Sequence, residues 1–297
     1  MKCGFVSILG KPNVGKSTLL NRLVGMKLAA VSRKPQTTRQ VIRGIFNDSR
    51  GQIIFLDTPG LHKPKDTLGR FMVREATKTF FDTDLFYWLT DPVPPNDSDL
   101  EFLNQLRPQA FQESKGEKAV FCLVNKIDTV PKPELLPVLD QYQKIFPFRE
   151  LIPISALHGD QVNLVLERSF AYLPEHEPYF PPDMPSDQTE KFLASEMIRE
   201  KIFRFTGEEV PYATAVQIEE FKDEESMVRI HAVIFTEKES QKAILIGTKG
   251  QKMKQIGMAA REDLEKFLGK KVYLELWVKT LKNWKKDEQS LKRLGYQ

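Results

Sequence analysis

The chain contains very few cysteines and no long apolar run. Of its 297 residues only two are cysteines, Cys3 and Cys122, and both lie in or beside segments with the pattern of strands. This usage predicts two small core residues in a reducing compartment and not a disulfide framework. The strand pattern begins directly after Met1, so we expect no signal or transit peptide. No apolar run has the length of a membrane span, and we therefore expect a cytoplasmic protein.

The sequence also lacks a strong excess of charge of either sign. Its 44 lysines and arginines nearly balance 40 aspartates and glutamates, and the formal net charge of +4 indicates no particular partner. The length allows two domains with separate cores. No internal repeat or low-complexity segment is visible. Its four histidines have no metal-ligand spacing, and we expect all of them to be structural: His62, His158, His176 and His231.

What the sequence does contain, near its start, is a glycine-framed lysine loop. GKPNVGKS matches G-x-x-x-x-G-K-[ST] and lies between an apolar strand pattern and a helix pattern. Such a loop directs backbone N–H groups and a helix N-terminus at phosphate oxygens. Lys16 would reach the β- and γ-phosphates, and the Ser17 hydroxyl would ligate Mg²⁺. The alternative is an ordinary glycine-rich turn with an exposed lysine. The predicted phosphate loop consists of Gly10, Lys11, Pro12, Asn13, Val14, Gly15, Lys16, Ser17 and Thr18.

Apolar strand patterns alternate with helical segments through the first half of the chain. This alternation favours a mostly parallel sheet covered on both faces, with Val41–Phe46 as an antiparallel edge strand. One strand pattern ends in DTPG, that is Asp57, Thr58, Pro59 and Gly60. An aspartate at the carboxyl end of a parallel strand points to the crevice where ligands bind. Asp57 can hold Mg²⁺ there through water, and the Gly60 N–H can sense a γ-phosphate; the alternative is a plain turn.

Two further strand ends carry the residues of a base site. In LVNKID the Asp128 carboxylate can accept hydrogen bonds from the N1–H and N2–H₂ edge of guanine, which adenine does not present. A buried polar group that faces the wrong base costs about 10⁴-fold in selectivity. The Ala156 N–H of ISAL is placed to bond guanine O6. The predicted guanine-binding residues are Asn125, which braces the loop, Lys126, whose stem covers the base, Asp128, Ser155, Ala156 and Leu157.

These motifs together resemble the five loops of a Ras-like G domain. The segments SRKPQTTR and DTPGLHKP more narrowly resemble the Era family of bacterial GTPases, and the resemblance extends over essentially the whole chain. It implies GTP and GDP as ligands, and Mg²⁺ held by Ser17, Thr38 and Asp57. In that set Thr38 would be the switch threonine, with its neighbour Thr37 as the alternative.

Two residues bear on the hydrolysis step. Leu61 follows DTPG at the position where Ras-like proteins carry a glutamine that orients the attacking water. An apolar side chain cannot orient water, so we expect slow intrinsic turnover. Asn13 matches an asparagine that coordinates K⁺ in related GTPases. The alternative for Asn13 is a simple loop residue.

A proline-rich segment separates two predicted domains. Residues 174–188 include five prolines, which exclude helix and central strand, and they predict a semi-stiff connector. We therefore assign residues 1–173 to a Ras-like P-loop GTPase domain of the α/β class. Residues 189–297, with the predicted order α-β-β-α-α-β, resemble an α+β type II KH domain that ends in a basic tail.

The second glycine loop lies in this C-terminal domain. In a KH domain a GxxG loop brings backbone amides against the sugar-phosphate backbone of about four nucleotides. A lone GxxG motif is weak evidence for RNA binding. The segment from Lys238 to Lys286, however, contains thirteen basic residues and only five acidic ones. Such clustering is typical of a nucleic-acid surface. The predicted RNA-binding residues are Gly247, Thr248, Lys249, Gly250, Lys252, Lys254 and Trp284, although Trp284 has packing on its own domain as an equal alternative.

The residues alone predict a GTP-gated protein that binds single-stranded RNA. The family resemblance implies more: a GTP hydrolase that binds small-subunit ribosomal RNA near its 3′ end and acts in maturation of the small ribosomal subunit. It also implies peripheral association with the inner face of the cell membrane. A membrane-signalling or transport-coupled GTPase is the rival, and it would require a hydrophobic C-terminal half, which this sequence lacks. A GTP-switched RNA-modifying enzyme is a second rival, but no catalytic cysteine or histidine cluster is visible.

Overall fold

The computed structural model describes residues 1–61, 63–64, 66–80, 83–112 and 116–296. The chain divides into two compact units. Unit 1 consists of Met1–Leu28, Thr38–Lys63 and Met72–Asp187, and unit 2 consists of Ala29–Thr37, Pro64–Phe71 and Gln188–Gln297. The sequence predicted a boundary in the same proline-rich region, but not the two short N-terminal segments that belong to unit 2.

Unit 1 contains a six-stranded sheet with helices between its strands. The elements of this half are β1 Lys2–Leu9, α1 Lys16–Val24, β2 Ile42–Asp48, β3 Gly51–Asp57, α2 Thr67–Lys78, β4 Leu85–Thr90, α3 Asp97–Ala110, β5 Phe111–Gln112, β6 Gly116–Glu117, β7 Ala119–Val124, α4 Lys132–Ile145, β8 Glu150–Pro153 and α5 Val162–Phe170. The residues of α2 up to Phe71 fall in unit 2.

The order of strands confirms the predicted α/β sheet. It runs β2-β3-β1-β4-β7-β8, with β2 antiparallel to β3 and every other pair parallel. The central strands β3, β4 and β7 are buried along their full length, as expected for strands covered on both faces. The phosphate-loop, DTPG, NKID and SAL segments follow β1, β3, β7 and β8, so they meet at one edge of the sheet.

The proline-rich segment is hydrogen-bonded to the sheet of unit 1 as far as residue 187, so this part is not a free connector. The Ile45 N–H of edge strand β2 donates to the Pro185 carbonyl at 2.8 Å, and Arg43 pairs with Asp187. Gln52 of β3 bonds the backbone of Tyr179 and Phe180. A proline cannot donate a ladder hydrogen bond, but its carbonyl can accept one. The segment therefore covers the exposed edge of the sheet, which is otherwise open to pairing with another chain.

Unit 2 has the element order predicted for a type II KH domain. Its elements are α6 Glu190–Phe205, β9 Ala215–Asp223, β10 Met227–Thr236, α7 Glu239–Ile246, α8 Gln251–Leu268, β11 Lys271–Thr280 and the short α9 Glu288–Arg293. The sheet order is β11-β10-β9, with β10 parallel to β11 and antiparallel to β9. Helices α6 and α8 pack on this sheet around Met197, Ile198, Ile230, Ile256 and Leu264, all of which are buried.

The loop Ala29–Thr37 joins unit 2 through the C-terminal part of α6. The Lys34 ammonium donates to the carbonyls of Phe203 and Thr206. These carbonyls lie where a helix leaves acceptors without intrahelical partners and where its dipole favours a cation. The Val31 N–H donates to Glu200 Oε2 of the same helix at 3.0 Å. The loop is thus fixed by specific contacts within unit 2.

Candidate functional site

The loop between β1 and α1 presents an uncapped helix N-terminus. Helix α1 begins at Lys16, its N-cap Gly15 makes no side-chain capping hydrogen bond, and its first turn has no acidic residue. The first-turn N–H groups, which include those of Ser17 and Thr18, have no intrahelical acceptor, and the helix dipole adds positive potential there. This is the arrangement that binds a phosphate.

Lys16 lies buried inside the loop. Its Nζ donates to the carbonyls of Gly10 at 3.1 Å and Lys11 at 2.9 Å, and the residue is 6% exposed. Burial lowers the pKa of Lys16 to about 8, while the Asp57 carboxylate partly opposes this shift. A buried ammonium that bonds only carbonyls gains strongly from an anion beside it. Lys16 is therefore placed to bind phosphate oxygens.

The remaining loop residues are fixed by neighbours from other segments. Lys11 Nζ donates to Asp99 Oδ2 of α3 at 2.8 Å, and Asp99 is fully buried. Asn13 has φ +68°, and its carbonyl accepts a hydrogen bond from Lys126 Nζ at 2.7 Å. These contacts hold the loop backbone in a left-handed turn.

Asn125 connects the phosphate loop to the base-recognition segments. Its Nδ2 donates to the Val14 carbonyl at 2.8 Å, and its Oδ1 accepts from the Ala156 N–H at 2.9 Å. Gly15 has φ +103°, and a Cβ there would lie 2.3 Å from Asn125 Nδ2. Glycine is therefore required at position 15 by both backbone conformation and space. The predicted bracing role of Asn125 matches these contacts.

The three predicted Mg²⁺ ligands lie together. Ser17 Oγ donates to Asp57 Oδ2 at 2.6 Å and lies 2.8 Å from Thr38 Oγ1, and Thr38 Oγ1 donates to the same Asp57 oxygen at 3.3 Å. Two hydroxyls and one carboxylate form a set of hard oxygen donors, which is the donor type that Mg²⁺ prefers. These residues fit Mg²⁺ held together with phosphate oxygens and water.

The structure separates the two candidate switch threonines. Thr37 Oγ1 donates to the Lys34 carbonyl at 2.8 Å and lies 2.6 Å from Ser32 Oγ, so it bonds within its own loop. Thr38 instead contacts Ser17 and Asp57. The geometry therefore favours Thr38 as the metal-binding residue and gives Thr37 a role in loop structure.

The DTPG segment approaches the phosphate loop mainly with its backbone. Thr58 is fully buried, and its hydroxyl donates to the Ile8 carbonyl at 2.8 Å, away from the phosphate loop. A Cβ on Gly60 would lie 2.8 Å from the backbone of Pro12, so the segment after Pro59 approaches the phosphate loop closely. The Leu61 side chain is 5% exposed and packs in the core, where it cannot orient a water molecule.

The base-recognition carboxylate is held by a buried serine. Ser155 Oγ donates to Asp128 Oδ1 at 2.6 Å, and Ser155 is fully buried. This contact fixes the carboxylate that we predict to read the N1 and N2 positions of guanine. The Ala156 N–H, predicted to bond O6, already donates to Asn125, so O6 would share or replace that bond. The role of Ala156 stays a prediction.

Lys126 and Leu157 flank the expected position of the base. Lys126 Nζ donates to the Asn13 carbonyl and lies 2.8 Å from Asp91 Oδ1, which aligns the lysine stem along the loop. Leu157 is 62% exposed, an uncommon position for a large apolar side chain beside a polar loop. Both features agree with apolar contacts to a flat ring.

Sequence reasoning missed three residues of this site. Arg22 of α1 bonds two carbonyls of the SAL loop, Asp99 pairs with Lys11, and His158 Nε2 lies 3.8 Å from Asp128 Oδ2. None of them lies in a recognisable motif, because each contact joins residues far apart in sequence. His62, expected to be structural, lies outside the described residues.

The second glycine loop joins α7 to α8 and is exposed. Gly247 has φ +72°, and a Cβ there would lie 2.7 Å from Lys252 Cβ, so no larger residue fits. Thr248 and Lys249 are exposed, and Lys249 has φ +50°. The loop ends at Gly250, which is the N-cap of α8 and makes no side-chain capping bond. An uncapped helix start of this kind favours a phosphate beside it.

A groove of about 480 Å³ lies beside this loop, between α8 and β11. Its apolar floor includes Met253, Met258, Leu274 and Leu276, and its lining residues Lys254 and Arg261 are basic. Tyr273 also lines the groove and is 46% exposed. Sequence reasoning found Lys254 but missed the apolar floor and Tyr273. An apolar groove with cations can hold bases and phosphates together.

Trp284 does not have the predicted RNA-binding role in this structure. It is fully buried, its indole N–H donates to the Ala213 carbonyl at 3.0 Å, and its ring stacks on Tyr296 with centroids 6.0 Å apart. A base cannot stack on a ring with no exposed face. The packing alternative is therefore correct.

Comparisons with known proteins find a matching family for each half of the chain. Residues 5–126 match the family model described as 50S ribosome-binding GTPase, and residues 209–285 match that of the KH domain. GTPase Era of Syntrophus aciditrophicus is 47% identical, over 99% of this chain and 95% of its own length. GTPase Era of Clostridium kluyveri is also 47% identical, over 100% and 99%. The chain belongs to the Era family of GTPases.

Solved structures agree with this assignment over the whole chain. Aquifex aeolicus Era bound to GDP·AlF4⁻ superimposes with a TM-score of 0.93 at 41% identity and covers 100% of this chain and 99% of its own. A structure of Era with MgGDPNP and nucleotides 1506–1542 of 16S ribosomal RNA gives a TM-score of 0.92, also at 41% identity with the same coverage. This Era-family protein is thus a GTP hydrolase with a C-terminal KH domain.

Two kinds of feature are not found among the described residues: a membrane-spanning helix and a metal site built from three or more histidine, cysteine or acidic side chains alone. No described helix is both long and apolar enough to cross a membrane. No described group of three or more histidine, cysteine or acidic side chains could hold a metal ion. The peripheral membrane contact implied by the family resemblance stays a prediction.

Proposed function

We propose that this GTPase binds the single-stranded 3′ end of small-subunit ribosomal RNA in the groove between α8 and β11 and acts in assembly of the small ribosomal subunit. The observation that carries the proposal is the Era structure with 16S nucleotides 1506–1542, whose chain aligns with this one over its full length. The glycine loop and the groove supply the matching chemistry in this chain.

The groove offers two kinds of contact to a single strand. The GTKG loop has exposed Thr248 and Lys249, and α8 begins there without a side-chain cap, so phosphates can approach. Lys252, Lys254 and Arg261 add positive charge along α8. The apolar floor provides surface for bases. Affinity should therefore combine a salt-dependent term with stacking.

The test is a fluorescence titration of a labelled oligonucleotide with the 16S 3′-end sequence. Replacing Thr248 and Lys249 by aspartates should abolish binding, because two carboxylates would meet phosphates at close range. For every phosphate that the protein no longer neutralises, the log–log salt slope should decrease by about 0.7. Affinity for GDP should stay unchanged in the same variant, because none of the nucleotide-site contacts described above involves this loop.

A charge-matched pair controls for net charge. Lys249→Asp lies in the loop, whereas Lys222→Asp lies on β9 and removes an exposed lysine paired with Glu220. Only the first should weaken RNA binding strongly. Equal losses in both variants would indicate non-specific attraction and would contradict the proposal, as would full RNA affinity in the double aspartate variant.

For the nucleotide site we propose that Ser17, Thr38 and Asp57 hold Mg²⁺ and that Asp128 selects guanine. When bound, Mg²⁺ neutralises charge on the β- and γ-phosphates. Lys16 binds phosphate oxygens beside it, and the first-turn N–H groups of α1 orient them. Ser17→Ala should weaken Mg²⁺-dependent nucleotide binding, and Asp57→Asn should do the same. Equal nucleotide affinity with and without Mg²⁺ in the wild type would contradict this set.

We also propose that Asn13 helps to hold K⁺ beside the phosphates. Leu61 is buried and cannot orient water, so turnover needs another source of charge stabilisation. Asn13 lies in the phosphate loop, where its backbone has φ +68°. Replacing Na⁺ by K⁺ should speed GTP hydrolysis, and Asn13→Ala should remove the difference. Equal rates in both salts would refute the cation and leave the GTPase assignment intact.

A further inference from the structure

Helix α1 carries an arginine that contacts the base-recognition loop. Arg22 lies in the last turn of α1, and its Nε donates to the Ala156 carbonyl at 3.3 Å. Its Nη2 donates to the next carbonyl, that of Leu157. One planar guanidinium thus holds two consecutive peptide units, and its fork fixes their direction as well as their distance.

The loop that Arg22 contacts is a tight turn. The Gly159 N–H donates to the Ser155 carbonyl at 2.7 Å, and the Ser155 N–H donates to the Asp160 carbonyl at 3.1 Å, so the turn closes on itself. Asn125 holds the Ala156 N–H from the side of β7. Arg22 holds the carbonyl side of the same residue from α1.

The helix that carries Arg22 also begins the phosphate site. Lys16 and Ser17 lie in its first turn. Arg22 follows Ser17 by five residues, which is about 7.5 Å along the helix axis at about 1.5 Å per residue. A single rigid element therefore contacts both the phosphate end and the base end of the site. Its length sets the distance between them.

We propose that Arg22 is a positioning residue for guanine recognition: it fixes the Ala156 N–H relative to the phosphate loop, so that this N–H meets the 6-oxo group of the base. The inference rests on the proposed assignment of the base site. Asp128 is held through the hydroxyl of Ser155, which precedes the two carbonyls that Arg22 bonds and is itself buried, so recognition of N1 and N2 should depend less on Arg22. The two edges of the base thus differ in their dependence on this arginine.

The test uses the full chain and three diphosphates that differ at one position. GDP has O6, 6-thio-GDP has the weaker acceptor sulfur there, and IDP lacks the 2-amino group. Arg22→Met keeps the side-chain length and removes the donors. We expect it to weaken GDP binding roughly three- to tenfold, on the scale of one or two hydrogen bonds. It should weaken 6-thio-GDP binding less, so the preference for GDP over 6-thio-GDP falls toward one.

Other measurements separate positioning from general damage. The preference for GDP over IDP should be unchanged in Arg22→Met, because Asp128 reads the 2-amino group. Arg22→Lys, which retains one cationic donor, should restore part of the 6-oxo preference. Arg168→Met removes an exposed arginine of α5 as a matched control and should alter neither ratio.

The outcomes distinguish this inference from the proposed base site. If wild type prefers GDP to ADP but Arg22→Met changes all three affinities equally or not at all, the positioning role is wrong. If wild type binds ADP as tightly as GDP, the base assignment is wrong, and the positioning role with it. The ratios are measured within each variant, so a smaller folded fraction does not alter them. If Arg22→Met does not fold, Arg22→Lys must show the reduced 6-oxo preference, and an unchanged ratio there refutes the inference.

Discussion

The buried Lys16 gives nucleotide binding a definite pH dependence. Burial lowers its pKa from 10.5 to about 8 in the absence of phosphate, with Asp57 as the opposing influence. Phosphate oxygens favour the ammonium and should raise this pKa again, so binding above pH 8 takes up a proton. The affinity should fall by up to about tenfold per pH unit above that point. If phosphate restores the pKa of Lys16 to the full 10.5, the binding free energy lost at high pH reaches at most about 3 kcal/mol, since one pKa unit corresponds to about 1.4 kcal/mol.

The lowered pKa of Lys16 also determines how the stability of the nucleotide-free protein changes with pH. Between pH 8 and 10.5 the unfolded chain keeps the Lys16 proton and the folded chain does not. The unfolded state then binds more protons, so this group makes the free energy of unfolding rise with pH in that window. Below pH 8 both states are protonated and the contribution is constant.

Isothermal titration calorimetry measures the number of protons taken up when GDP binds. GDP binding is compared at fixed free Mg²⁺ in two buffers of different ionisation enthalpy. The uptake should be about 0.1 proton at pH 7 and about 0.75 at pH 8.5, from a pKa of about 8. Lys16→Arg keeps its charge throughout and should show no uptake at either pH. Identical binding enthalpies in both buffers at pH 8.5 would refute the reasoning about Lys16.

Other residues give shorter tests. Asp128→Asn should shift preference from GTP to xanthosine triphosphate in a competition assay, because the new amide donates to the 2-oxo group; wild-type binding of ATP as tight as that of GTP would contradict this. Leu61→Ala should leave single-turnover hydrolysis nearly unchanged but lower the free energy of unfolding by about 2–5 kcal/mol, and a large rate loss in folded protein would contradict it. Trp284→Phe should lower the free energy of unfolding and leave RNA affinity unchanged, because the indole is buried; a loss of RNA affinity in folded protein would refute the packing role.

The chemistry of the nucleotide site could be predicted wherever one short segment supplies it. The loop from Gly10 to Ser17 and the run from Asn125 to Asp128 each combine backbone shape and functional side chains in a few residues. The carboxyl ends of parallel strands then bring such segments together without further information. Arg22 could not be found in this way, because it meets Ala156 across 134 positions of sequence. Lys11 and Asp99, 88 positions apart, are a second pair of this kind.

Two of the choices that the sequence left open are decided by the acceptors that the donors contact. Most buried hydroxyl and indole N–H groups are hydrogen-bonded, and the partner shows which part of the structure the side chain serves. Thr37 finds the Lys34 carbonyl inside its own loop, which leaves Thr38 to contact Asp57. Trp284 finds the Ala213 carbonyl and is buried with it. Composition shows that an aromatic ring lies among lysines, but only the folded chain shows which face of that ring is exposed. An RNA-binding role therefore needs an aromatic residue whose ring is exposed, and Trp284 does not meet that condition.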